Sequence, residues 1–261
     1  MKLNLLPARK GAAWVKLGIR TFFRQPLALA GLFFMFMALM SVASMVPMIG
    51  LPVAMILLPA ITLGLMAASR EADGGKFPMP LILLTAFRAG PQKLRAMLTL
   101  GALYALGFMG VIGVAYLVDG GGFVAIYLGG QAPTSELMSD ARFQTAMWVF
   151  IALHLPLSLM FWHAPALVFW QDLPPVKSMF FSIVACFRNF GAFTLFAGMW
   201  MLVMVLTVLG VTTLSTLLDS PNLAGTLLFP ALLLVASMFF TSLYFTYRDS
   251  FELAAGKMDS A

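Results

Sequence analysis

The chain has 261 residues, 61% hydrophobic and only 10% charged, with a formal net charge of +6. A soluble domain usually carries about 25% charged residues, so this chain could not cover its own surface in water, whereas in a bilayer the outward face should be apolar. The composition leaves no room for a large soluble domain, and the lone Cys186 can close no internal disulfide and lacks metal-site spacing.

The first 25 residues are basic, with Lys2, Arg9, Lys10, Lys16, Arg20 and Arg24. This region is longer than the head of a secretory signal, and a second apolar run follows the first at once, so no cleavage is expected. Lys16, Arg20 and Arg24 recur every four residues and share one helical face, while Trp14, Val15, Ile19, Phe22 and Phe23 lie largely away from it. The pattern predicts an amphipathic helix over 12–25, lying flat in the interface with its cations toward headgroups.

No Asp, Glu, Lys or Arg occurs in the 45 residues between Arg24 and Arg70. A spanning helix needs about 20 apolar residues, so the gap holds two, at 27–47 and 51–69, with the turn at Pro47-Met-Ile-Gly50-Leu-Pro52. Arg70-Glu71 and Asp73-Gly-Gly-Lys76 then read as a solvated turn, and a short apolar stretch runs from Met79 to Phe87-Arg88. Four further charge-free runs of 23 to 30 residues predict spans at 96–118, 146–169, 192–215 and 224–246. Gly107, Gly110 and Gly113 in the third span offer close helix contact. Asp119-Gly-Gly-Gly122 lacks the Lys and Ser/Thr of a phosphate loop and reads as a turn. The fourth span holds His154, Ser158 and His163, each histidine two residues before a proline. A proline frees a carbonyl one turn earlier, so these side chains read as polar contacts at kinks. Nine residues apart, the two histidines should face nearly opposite ways and share no metal.

Fifteen basic residues fall on one side of this layout, including Lys177, Arg188, Arg248 and Lys257, and only Arg142 on the other. That asymmetry requires an even number of spans and predicts both termini in the cytoplasm. Before each odd-numbered span stands an apolar segment, then Phe-Arg, then a breaker or small residues: Phe23-Arg24-Gln25-Pro26, Phe87-Arg88-Ala89-Gly90-Pro91 and Phe187-Arg188-Asn189-Phe190-Gly191. The predicted fold is therefore all-α and polytopic: three transmembrane hairpins, each preceded by a cytoplasmic interfacial helix. Lys16, Arg20, Arg24, Arg88, Lys177 and Arg188 are the expected headgroup contacts.

The segments Gly18-Ile-Arg20-Thr-Phe-Phe-Arg24-Gln-Pro26, Phe161-Trp-His163-Ala-Pro165-Ala-Leu-Val168 and Lys177 through Arg188-Asn189 resemble an uncharacterised family of proteobacterial six-span inner-membrane proteins. In architecture alone, the layout is also similar to the membrane domains of bacterial glycerophosphodiester phosphodiesterases, although the chain carries no phosphodiesterase catalytic domain. The first resemblance implies an inner-membrane location and supplies no catalytic residues.

No span contains Asp, Glu, Lys or Arg, and no nucleophile-with-base, zinc or nucleotide motif occurs. The expectation is a non-enzymatic protein without cofactor or metal, contacting anionic lipid and no nucleic acid, and scaffolding or modulating a membrane partner or a second copy of itself. A transporter or channel for a small or lipidic solute, using His154, Ser158 and His163, is the alternative. An intramembrane enzyme would need Glu71, Asp172 and Arg188 brought together.

Overall fold

Proline sets where the helices start. Its missing N–H costs nothing in a first turn, and its fixed φ suits the position. In the computed structural model, which describes residues 2–251, prolines occupy the first turn of α2 (Pro26–Ser44), α5 (Pro91–Asp119), α9 (Ala164–Trp170), α10 (Pro175–Arg188) and α12 (Pro221–Ser250). The remaining helices are α1 (Lys10–Arg24), α3 (Gly50–Asp73), α4 (Thr85–Arg88), α6 (Gly122–Tyr127), α7 (Ser135–Ser139), α8 (Ala141–Trp162) and α11 (Phe190–Leu217). A 3-10 turn over Pro80–Leu84 leads into α4. Among the described residues there is no strand, only an isolated bridge between Leu3 and Phe251.

Among the described residues, six helical segments are long and apolar enough to cross a membrane: α2, α3, α5, α8 continued by α9, α11 and α12. They pair as three hairpins, α2 with α3, α5 with α8, and α11 with α12. Several overrun their expected spans into charged ends: α3 continues through Arg70 to Asp73, and α5 begins at Pro91. The first turn lies where the prolines placed it, with Met48 at its tip in a left-handed conformation (φ +66°). Lys257 lies outside the described residues.

Ion pairs gather the N-terminal segment, the end of α3, the start of α5 and the end of α12 at one end of the bundle, the basic end. The last hairpin buries its residues toward that end, while α5, α6 and α8 pack a separate cluster with Ile112, Ala115, Phe123 and Phe143 at the far end. On α11 the buried residues are Ala192, Phe193, Phe196 and Trp200 near its start, then only Ser215, and on α12 burial begins at Val235. At the far end, Asp119 accepts from the amides of Gly121 and Phe123, turning the Asp119-Gly-Gly-Gly segment into an ordered helix cap.

Two interfacial elements differ from expectation. Helix α1 does not lay its apolar face in lipid: Gly11, Trp14, Val15, Gly18, Thr21 and Phe22 are buried, and the helix packs on α11 and α12. Trp14 stands 5.2 Å from Phe193 between ring centroids. Gly11 and Gly18 make the approach possible, since a Cβ at Gly11 would meet the Ala192 carbonyl and one at Gly18 the Cβ of Ser242. The second element, expected as an interfacial helix, is the 3-10 turn running into the single helical turn α4, with Leu83 pressed against Gly64 of α3.

Candidate lipid interface and the polar cluster beneath it

Helices α1 and α10 share a design. Each buries one face in protein and leaves a mixed face of cations and apolar side chains outside. On α10 the buried face is Ser178, Ser182, Ala185 and Cys186, packed on α8 and α9. Its outer face carries Lys177 and Arg188 with Phe180, 60% exposed, and Phe187, 59% exposed. On α1, Lys16, Arg20 and Arg24 are exposed beside Phe23, 64% exposed. Arg88 is exposed at the end of α4, near exposed Phe77, Met79 and Leu81. Aromatic groups beside cations suit the boundary between headgroup and acyl chain.

Arg24 is not simply a headgroup contact. Its guanidinium donates to the Asp73 backbone carbonyl (3.0 Å) and carboxylate (3.4 Å). Arg248 donates to the other oxygen of Asp73 (3.2 Å) and to Asp249 (3.1 Å). Asp249 also receives Lys10 (3.0 Å) and the Trp14 indole N–H (3.2 Å). The segment Asp73-Gly-Gly-Lys76, expected as a solvated turn, thus supplies the anion that joins α1, α3 and α12. Nearby, the N-terminal strap is fixed by the Leu6 N–H donating to the Asn189 side chain (2.8 Å) and by Asn189 donating to the Asn4 carbonyl (3.1 Å).

Beneath this layer, His163 is fully buried. Pro165 breaks the helix there, and a neighbouring hydroxyl takes over the broken ladder. The Ser182 hydroxyl donates to the Leu159 carbonyl (2.7 Å), and its oxygen accepts the His163 amide N–H (2.9 Å). One side chain from α10 is inserted where the i→i−4 bond would run. The His163 Nε2 faces the Thr246 hydroxyl at 3.3 Å, and the Trp162 indole donates to the same hydroxyl at 3.1 Å. Phe193, Tyr247 and Phe251 surround the ring. His154 lies elsewhere, stacked on Phe150 (5.1 Å) and edge-on to Phe108 of α5 (5.9 Å). Ser158 is half-buried. Pro156 stays inside α8, so only the second His-x-Pro breaks the helix.

The glycines divide. A Cβ at Gly107 would meet the Leu157 side chain of α8, whereas one at Gly110 or Gly113 would meet nothing of this chain within 4 Å. The close approach on α5 is instead at Gly101, against the Ile56 carbonyl of α3. Of the three residues an intramembrane enzyme would need, Asp172 pairs with Lys93 (3.3 Å). Cys186, on the inner face of α10, has its thiol pushed up to about 12 by burial. Among the described residues, no three His, Cys, Asp or Glu side chains are grouped to hold a metal.

Over 254 residues the chain is 37% identical to a probable inner membrane protein of Burkholderia thailandensis, covering 96% of this chain and 94% of that one. The chain belongs to the same family as that inner-membrane protein. The aligned length takes in all but a few residues, so the six helices and the basic end both fall within the family relationship. No family model matches the chain, and no solved structure matches it. The likeness to glycerophosphodiester phosphodiesterase membrane domains finds no support in these comparisons.

Proposed function

We propose that this inner-membrane protein is non-enzymatic and holds anionic lipid along its basic end, serving as a platform for a membrane partner. The supporting observation is the shared design of α1 and α10: faces clamped to the bundle, with Lys16, Arg20, Lys177 and Arg188 left outside beside exposed phenylalanines. By the charge asymmetry the basic end faces the cytoplasm, where the leaflet is anionic. Each cation near such a surface contributes about 1 kcal/mol, weakened by salt.

The test is enrichment of phosphatidylglycerol over phosphatidylcholine around protein reconstituted in mixed vesicles, read by energy transfer from tryptophan to labelled lipid. The quadruple variant K16Q/R20Q/K177Q/R188Q should lose about tenfold or more of that enrichment. The enrichment should also fall with salt in the wild type. Equal enrichment in variant and wild type would refute the proposal. A reporter fused to the C-terminus should be active only on the cytoplasmic side.

A further inference from the structure

Most hydroxyls inside the spans are occupied. Thr207, Thr212, Ser237 and Thr241 each donate to a backbone carbonyl. Four polar side chains around the α5–α8 hairpin behave differently: among the described residues, Tyr104 on α5, Tyr127 on α6, and His154 and Ser158 on α8 have no hydrogen-bond partner. Of their polar atoms only His154 Nδ1 is sealed inside the chain. The three hydroxyls and His154 Nε2 reach the molecular surface.

The four groups share one edge. Tyr104 stacks on Phe108 (6.2 Å), Phe108 meets His154 (5.9 Å), His154 stacks on Phe150 (5.1 Å), and Phe150 meets Tyr127 (4.8 Å). His154 and Ser158 are four residues apart on one helical face. Ile151, one turn away on α8, is 44% exposed, so this edge is not covered by another helix. Helix α8 meets α11 and α12 near the basic end, where Trp162 packs on Phe193, Phe196 and Phe239, while its far half packs on α5, α6 and α7.

The edge lies deep in the membrane. Tyr104 stands nine residues from Arg95 and fifteen from Asp119, about 14 and 23 Å along the helix. His154 stands twelve residues from Arg142, about 18 Å. In a hydrocarbon layer about 30 Å thick, both are near the middle, where no water satisfies an unpaired polar group. A partner from outside the chain is needed. Phospholipid headgroups stay at the interface, too far away. The spans hold no Asp, Glu, Lys or Arg, so nothing balances a charged ligand. Two phenol O–H groups, a serine O–H and an imidazole nitrogen suit carbonyl oxygens, and the ring-lined edge suits a planar ring.

We infer that this edge binds a quinone: an uncharged ring bearing carbonyl oxygens on a lipid-soluble tail. Tyr104, Tyr127 and His154 Nε2 are its hydrogen-bond partners, with the protein on one side of the ring and lipid tails on the other. The site is independent of the basic end.

The experiment is photo-crosslinking of the full chain in phosphatidylcholine nanodiscs with an azido-benzoquinone carrying a short isoprenoid tail, mapped by peptide mass spectrometry. Adducts should fall on α5, α6 and α8. Decylubiquinone should displace the probe, and dioleoylglycerol at the same concentration should not. Y104F/Y127F keeps both rings and should raise the decylubiquinone concentration for half displacement about tenfold, as expected for two lost hydrogen bonds. Each single variant should raise it about threefold. Thr207→Val, whose hydroxyl bonds within α11, and K16Q/R20Q/K177Q/R188Q should both match the wild type. Adducts spread over all lipid-facing helices, equal displacement by dioleoylglycerol, or unchanged binding in the tyrosine variants would each overturn the site. So would chain-to-chain crosslinks through α8 that quinone does not suppress, since a second copy would then cover this edge.

Discussion

Replacing Ser182 by Ala should cost far more stability than removing one hydroxyl ordinarily does. Ser182 is fully buried and serves two groups of a different helix. Without it, the His163 amide N–H loses its partner and the Leu159 carbonyl keeps only the weak Cys186 thiol donor (3.9 Å) inside a packed interface. A buried polar group left unsatisfied costs about 1–3 kcal/mol, so the pair predicts a loss of about 2–4 kcal/mol. The helix cannot simply close the gap. Bringing the His163 N–H back to Leu159 would straighten the chain at Pro165 and pull Ala164, Ala166 and Leu167, all fully buried, out of their packing. The measurement is reversible unfolding in mixed micelles, followed by tryptophan fluorescence, with Ser178→Ala as the control. Ser178 lies on the same buried face but bonds only within its own helix, to Pro175 (2.6 Å). The control should lose under about 1 kcal/mol. Interhelical side-chain bonds in membranes average about 0.6 kcal/mol. A Ser182→Ala loss no larger than that, or no larger than the control's, would refute the ladder-insertion reasoning.

Gly101 and Gly110 should respond in opposite directions to alanine. At Gly101 the new Cβ meets a backbone carbonyl that cannot turn aside, and separating α3 from α5 should cost about 1–3 kcal/mol. At Gly110 nothing stands within 4 Å, so alanine should be neutral or stabilise by up to about 1 kcal/mol; a comparable loss at both in thermal unfolding would contradict the packing described. Burial raises the Cys186 thiol from an ordinary 9.0 to about 12. The reactive species is the thiolate, so the folded protein should resist maleimide at pH 8 and label promptly once unfolded in dodecyl sulfate. The raised value also means that this group favours the fold below its ordinary value, an advantage lost as pH climbs toward about 12. Rapid labelling of the folded protein at pH 8 would show the inner face of α10 to be open.

Much of this architecture was legible in the order of residues. Long charge-free runs have one tolerable surrounding, hydrocarbon, and their number and spacing predict six spans, matching the six helices long and apolar enough to cross a membrane among the described residues. The three Phe-Arg segments marked where helical pieces precede the odd spans, and prolines marked where helices begin. Periodicity also told which face of α1 is apolar. It could not tell what covers that face, because lipid tails and a protein interior are equally apolar. Only the packed bundle put Trp14 against Phe193 instead of lipid, turned Gly11 and Gly18 into contact points, and left Gly110 and Gly113 bare. Only the tertiary structure likewise brought Asp73 between Arg24 and Arg248, and Ser182 into the ladder of α8. Those pairings join residues far apart in the chain, and their partners are chosen by geometry in three dimensions, which no local spacing encodes.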